Sequence, residues 1–123
     1  MKMTRIALAA AAALLSVSAF AAPQTKMEGG VMVGANNMTL YTFDKDTAGS
    51  GKSVCNGPCL ANWPALMATD SDKAAGDYSI VTRDDGKKQW AYKGRPLYYF
   101  VKDQKPGDKV GEGAANGAWH VAK

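Results

Sequence analysis

Two cysteines, one histidine and a pair of repeated aspartates carry most of the chemistry this chain could perform. Cys55-Asn56-Gly57-Pro58-Cys59 encloses three residues between its thiols. In an exported chain such a pair forms a disulfide, and closing so small a ring stabilises by about 2 kcal/mol through lost chain entropy. The competing chemistry is a dithiol redox centre. Against it stand the spacing, since thioredoxin-type sites place two residues between the cysteines, and the lack of a predicted helix for Cys55 to cap. A c-type haem is excluded because no Cys-x-x-Cys-His occurs. His120, beside Trp119, reads as a partly exposed strand residue. A soft-metal site would have to assemble it with free thiolates and with methionines such as Met27, Met32, Met38 or Met67, and nothing in the spacing requires that.

Asp46 and Asp103 end two copies of one frame. Leu40-Tyr41-Thr42-Phe43-Asp44-Lys45-Asp46 returns 57 residues later as Leu97-Tyr98-Tyr99-Phe100-Val101-Lys102-Asp103. Self-similarity at fixed spacing marks a duplicated supersecondary unit. Duplication copies structural residues automatically, whereas catalysis seldom needs them twice, so both aspartates read as carboxylates that accept backbone N–H groups where strand becomes loop. The alternative makes them symmetry-related ligands or acid–base groups. Asp44-x-Asp46-x-Ala48-Gly49 is not a calcium loop, for its fifth position is Ala and its twelfth is Cys55. No G-x-S-x-G or H-E-x-x-H motif occurs, and one histidine is too few for common hydrolase schemes.

The elements that must position these groups are strands. Val31–Val33 is β-prone, and Thr39–Phe43 alternates so that Tyr41 and Phe43 share one face. Asp44–Asn62 reads as a long loop, and Met67–Gly76 as a loop or a single helical turn. Tyr78–Arg83 is the clearest strand, turned at Asp84-Asp85-Gly86 into a return strand over Gln89–Tyr92. Leu97–Val101 and Trp119–Val121 complete the set. No segment after the leader sustains a 3.6-residue apolar period. Overlaying the halves also matches Trp63 with Trp119. The spacing therefore predicts a mostly β, small single domain of two degenerate repeats, each a hairpin, a long loop and a Trp-bearing strand. Tyr78–Arg83 would be an extra strand bridging them. Since an isolated hairpin is marginal in water, the repeats should share one aromatic core of Leu40, Phe43, Trp63, Trp90, Leu97, Phe100 and Trp119.

The N-terminus reads as an export signal over residues 1–21. Lys2 and Arg5 precede the apolar run Ile6–Val17, and Ala19-Phe20-Ala21 offers a small-x-small cleavage site. The run is shorter than the roughly 18–20 residues of a membrane span. Cleavage after Ala21 leaves 102 of the 123 residues: a tail at 22–30 and a domain at 31–123, with repeat one at about 31–67 and repeat two at about 88–123. Losing Lys2 and Arg5 lowers the basic count from 15 to 13 against 11 acidic residues, so the net charge falls from +4 to +2. The remaining Lys and Arg are scattered, which excludes the basic stripe of a nucleic-acid binder.

Taken together, the chain resembles a family of bacterial secreted tandem-repeat proteins, many of them predicted lipoproteins, marked by Y-x-[FWY]-x-x-D and without established function. The resemblance rests on Tyr41-x-Phe43-x-x-Asp46, Tyr98-x-Phe100-x-x-Asp103, Cys55 and Cys59, Asn62-Trp63-Pro64, Asp85-Gly86, Gly94-x-Pro96-Leu97 and Trp119-His120. It covers nearly all of the chain after the leader and implies an extracytoplasmic domain. This chain departs in having no cysteine near the cleavage site, so a lipid anchor does not carry over, and its second repeat lacks a cysteine pair. The expectation is a non-enzymatic, periplasmic or secreted module that binds an unknown envelope component or small ligand, with no cofactor and no membrane anchor after cleavage. Outward aromatics, Tyr99 and Tyr92, with His120, would be its contacts. The alternatives are a periplasmic redox or metal/haem-handling protein using Cys55 and Cys59, and an enzyme built on the twin aspartates.

Overall fold

The computed structural model describes residue 23 and residues 25–123; the expected export signal at 1–21 lies outside the described residues. In chain order the elements are β1 (Lys26–Glu28), β2 (Val31–Val33), β3 (Tyr41–Phe43), α1 (Pro58–Asn62), β4 (Met67–Ala68), β5 (Tyr78–Thr82), β6 (Lys88–Tyr92), β7 (Arg95–Pro96), α2 (Ala114–Gly117) and β8 (Trp119–Val121). α1 is one turn begun by a proline, and in α2 Ala115 and Asn116 are left-handed, with φ of 55° and 61°. All strand pairings are antiparallel: β1 with β2, β3 with β8, and β6 with β4, β5 and β7. The β5–β6 hairpin turns through Asp84-Asp85-Gly86, where Gly86 at φ 85° takes the left-handed position that closes a three-residue loop.

The two copies are interlocked. β3 of the first copy pairs with β8 of the second, placing Phe43 opposite Trp119 and Tyr41 opposite Val121. The mirror relation holds on the other side: Tyr98 bridges Ala65, and the Tyr99 N–H donates to the Pro64 carbonyl at 2.7 Å. Each Trp-bearing segment therefore pairs with the other copy's L-Y-x-F segment. The copies meet where Tyr41 and Tyr98 exchange backbone bonds, N–H to carbonyl, at 2.7 and 3.0 Å. Flanking triangles match as well. Met32 N–H donates to Ala122, Ala122 to Leu40 and Leu40 to Met32 at 2.8–2.9 Å; Trp90, Leu66 and Leu97 repeat the cycle at 2.9–3.0 Å.

Several sequence expectations change, among them Met67–Gly76, read as a loop or a single helical turn, whose Met67–Ala68 pair with β6 as β4. Lys26–Glu28, read as tail, form β1, because Gly29-Gly30 turns the chain back onto β2. β5 is thus no unmatched bridging strand: β1–β2 is its counterpart hairpin. The expected strand at Leu97–Val101 has only isolated bridges around Tyr98, since that residue is held from both sides by Tyr41 and Ala65. Within the predicted Asp44–Asn62 loop, Pro58 starts the single turn of α1.

The shared aromatic core is present, but the burial is divided. One cluster holds Tyr41, Cys55, Trp63, Tyr98, Trp119 and Val121, with Phe43 and Phe100 packed against it. A second holds Met32, Leu40, Leu97 and Ala122. Leu40 and Tyr41 are neighbours on an extended segment and point to opposite faces, both of them covered, so the leucines cannot join the rings. Trp90 is buried apart from the stack, with Tyr78 edge-on at 6.2 Å.

Candidate functional site

Four rings lie in one column at the centre of the first cluster. Phe43 stacks on Trp119 at 4.1 Å between centroids, Trp119 on Trp63 at 3.7 Å, and Trp63 on Phe100 at 4.0 Å. Tyr41 meets Trp63 edge-on at 5.3 Å, and Tyr98 meets Trp119 likewise at 5.1 Å. Edge contacts of this kind add about 0.5–1.5 kcal/mol per pair beyond simple burial. The column follows from strand exchange, which lays the i+2 ring of each copy, Phe43 or Phe100, against the other copy's tryptophan, while the i ring, Tyr41 or Tyr98, meets the tryptophan of its own copy edge-on.

The motif's tyrosine and aspartate also pair across copies. The Tyr41 hydroxyl donates to Asp103 Oδ2 at 2.7 Å, and the Tyr98 hydroxyl donates to Asp46 Oδ2 at 2.6 Å. The second carboxylate oxygen accepts a loop N–H in both cases, from Val54 to Asp46 at 2.7 Å and from Val110 to Asp103 at 3.0 Å. All four side chains are buried. Burial and the neighbouring carboxylate push both phenols far above the ordinary tyrosine value. Burial lifts the Asp46 carboxyl above the aspartate norm, opposed by its hydrogen bonds from Tyr98 and Val54. With both oxygens of each carboxylate engaged inside the fold, neither is presented to a substrate.

Around Tyr98 the second copy adds a buried cation absent from the reading of the sequence. Arg83 is 3 % exposed and donates to Ser53 Oγ at 2.9 Å, Gln89 Oε1 at 2.6 Å, Asn56 Oδ1 at 3.0 Å and the Cys55 carbonyl. Ser53 in turn shares a hydrogen bond of 2.5 Å with the Tyr98 hydroxyl. The guanidinium is thereby linked to Asp46 through Ser53 and Tyr98. An arginine one residue before a D-D-G turn reads as solvent-facing; only the fold, by bringing residues 53–56 against β6, shows it buried.

Cys55 and Cys59 form a disulfide, with Cα atoms 5.2 Å apart and Cys55 wholly buried in the first cluster. His120 lies between two carboxylates, Nδ1 on Glu112 Oε2 at 3.0 Å and Nε2 on Asp44 Oδ2 at 3.1 Å. The bond to Glu112, then that to Asp44, raises the imidazole above its usual value. The Val121 N–H and His120 hold Glu112 below the ordinary carboxylate value. Because the carboxylates occupy different ring nitrogens, they cannot converge with the imidazole on one ion. Among the described residues, no three His, Cys, Asp or Glu side chains are placed to share a metal. Met32 is consumed in the second cluster, while Met67 is exposed on β4.

Tyr99 and Tyr92 depart from the outward orientation expected of them. Both are half-buried against the second cluster, because the face opposite the ring column is itself covered by β2 and β6. The Tyr99 hydroxyl sits so close to Gly34 that a Cβ there would lie 2.2 Å from it, and burial raises its phenol above the tyrosine norm.

Two concavities adjoin beside the β1–β2 hairpin. One, of about 440 Å³, runs along Val31, Val33 and Thr39 towards Gly107. The other, an open notch of about 880 Å³, lies between Gly29-Gly30 and β8 and includes His120. They share Gly29, Val31 and Lys109. Hydropathy and spacing had no means of locating this groove, since it is made by the shortness of one hairpin.

A family described as a secreted repeat of unknown function matches the chain twice, over residues 24–67 and 79–123. Both matches take in the hairpin strand of their copy. Proteins named probable Xaa-Pro aminopeptidase from Ajellomyces dermatitidis and Blastomyces gilchristii are 33 % identical over 81 residues. The match covers 63 % of this chain and 15 % of each of those proteins. No solved structure matches.

Proposed function

This chain belongs to the family of secreted repeats of unknown function, and from that premise we propose that it is a non-enzymatic binding module exported to the cell envelope. Its leader would be cleaved after Ala21, and its ligand would contact the groove beside the β1–β2 hairpin. The observation that carries this reading is the engagement of both motif carboxylates. Each is bonded to a tyrosine of the other copy and to a loop N–H, so the repeated polar groups are spent on joining the copies. The groove is concave and solvent-facing, and it lies where the copies differ. Sites for ligands favour such clefts with an apolar floor and a few polar groups. The disulfide supports a structural use of Cys55 and Cys59, since it ties Cys55, wholly buried in the ring cluster, to the single turn of α1.

The test has two parts. N-terminal sequencing of the exported chain should begin at Ala22, and a chain retained in the cytoplasm with Met1 intact would remove the export claim. Amide spectra of the exported protein, titrated with solubilised envelope polymers and lipids, should shift at Val31 and Lys109 while the Trp63 and Trp119 signals stay fixed. Shifts confined to other faces would remove the groove.

A further inference from the structure

The internal symmetry that relates the copies places the Arg83 seat opposite the open notch. Matching hydrogen-bond triangles equate Met32 with Trp90, so Val31 corresponds to Gln89. The loop N–H groups donated to the two motif aspartates equate Val54 with Val110, so Ser53 corresponds to Lys109 and Asn56 to Glu112. In the second copy the hairpin extends one pair further, to Thr82–Lys88, and Arg83 then fills the seat. In the first copy the hairpin turns at Gly29-Gly30 and the seat stays open.

The lining has changed along with the vacancy. Of the four acceptors that hold Arg83, Ser53 is replaced by a lysine and Gln89 by a valine. Where one copy surrounds its own guanidinium with acceptors, the other presents the exposed ammonium of Lys109, joined from the chain's end by Lys123. Among the described residues neither lysine has a carboxylate within ion-pair distance. Glu112 also lines the notch, but its oxygens accept from the Val121 N–H and from His120. His120 contacts Asp44 as well, so both carboxylates are taken up by the imidazole and the Val121 N–H. Over an apolar floor of Val31 and Val121, the two lysine side chains are the notch's charges without an ion partner among the described residues.

We propose that this notch is an anion site, taking a phosphate group between Lys109 and Lys123 with the rest of the ligand lying on Val31 and Val121. The proposal rests on the groove being the contact surface and adds the chemistry of what it holds. Two ammonium groups suit a phosphate dianion as point charges that need no fixed fork. The same phosphate chemistry comes from a soluble phosphomonoester or from a lipid headgroup.

The experiment is an amide-resolved titration of the exported protein at constant ionic strength, with inorganic phosphate, with glycerol phosphate, and with vesicles of phosphatidylglycerol against phosphatidylcholine. Saturable shifts at Gly29, Gly30, Val31 and Lys109 with affinity on the order of millimolar are expected for the soluble probes. Binding only to phosphatidylglycerol vesicles would assign the source to a headgroup. Lys109→Ala and Lys123→Ala should each weaken binding about tenfold, the loss from removing one charge-assisted contact. Lys52→Ala, which removes the same charge elsewhere, should not. The proposal is overturned if no phosphate probe binds, or if the lysine variants bind like the parent. If envelope polymers still shift the groove while every phosphate probe fails, the anion assignment falls and the binding role stands.

Discussion

Removing the Tyr98 hydroxyl by Tyr98→Phe should cost about 2–3 kcal/mol, and the loss should be coupled to a residue in the other copy. The hydroxyl donates to a buried carboxylate at 2.6 Å and shares a bond with Ser53 at 2.5 Å. A hydrogen bond to a charged group contributes about 1.5–3 kcal/mol, and Asp46 would be left with one buried oxygen unpaired. Tyr41→Phe, whose hydroxyl bonds Asp103 at 2.7 Å and accepts the Gly111 N–H at 3.2 Å, should cost slightly less, about 2 kcal/mol. The distinctive quantity is the coupling. In double-mutant cycles, Tyr98→Phe with Asp46→Asn, and Tyr41→Phe with Asp103→Asn, should show interaction energies of about 1–2 kcal/mol. The same-copy combinations, Tyr41 with Asp46 and Tyr98 with Asp103, should couple by less than about 0.5 kcal/mol, the usual additivity error. Denaturant unfolding followed by tryptophan fluorescence reads all of them, since Trp63 and Trp119 stack at the junction. Coupling within copies and additivity across them would refute the strand exchange.

Three other outcomes follow from the same geometry. Gly111→Ala should destabilise by about 1–3 kcal/mol in a thermal melt, because its Cβ would come within 2.7 Å of Trp63 and 3.0 Å of Phe100, rings locked in the column. Replacing both Cys55 and Cys59 with Ser should cost about 2 kcal/mol, lowering Tm by roughly 8–16 °C while leaving the fold intact. His120 has a raised folded value, so its stabilisation is complete below its unfolded value near 6.5 and is lost as pH rises through the folded value. Melting temperatures should therefore decline from about pH 6.5 upwards, and His120→Asn should flatten that decline.

How much of this was legible in the chain depends on which interactions are local. The repeat, the β character, the Asp85-Gly86 turn and the ring-bearing face of Tyr41 and Phe43 follow from side-chain alternation and turn chemistry, which neighbouring residues decide. The partner of each motif was not legible. Tyr41 to Asp103 and Trp63 to Phe100 are long-range choices that either an independent or an exchanged repeat satisfies equally in sequence. The outward placement of Tyr99 failed because alternation tells which face a residue takes and not whether that face is covered. Arg83 and the notch are two results of one length difference between hairpins, and neither residue type nor spacing marks it.

The interlocking of the copies is most directly tested by through-space proton contacts in the folded protein. The account predicts contacts between the rings of Trp63 and Trp119, of Trp63 and Phe100, and of Phe43 and Trp119, matching centroid separations of 3.7–4.1 Å. Contacts of Trp63 with Phe43 and of Trp119 with Phe100, without the exchanged set, would contradict it.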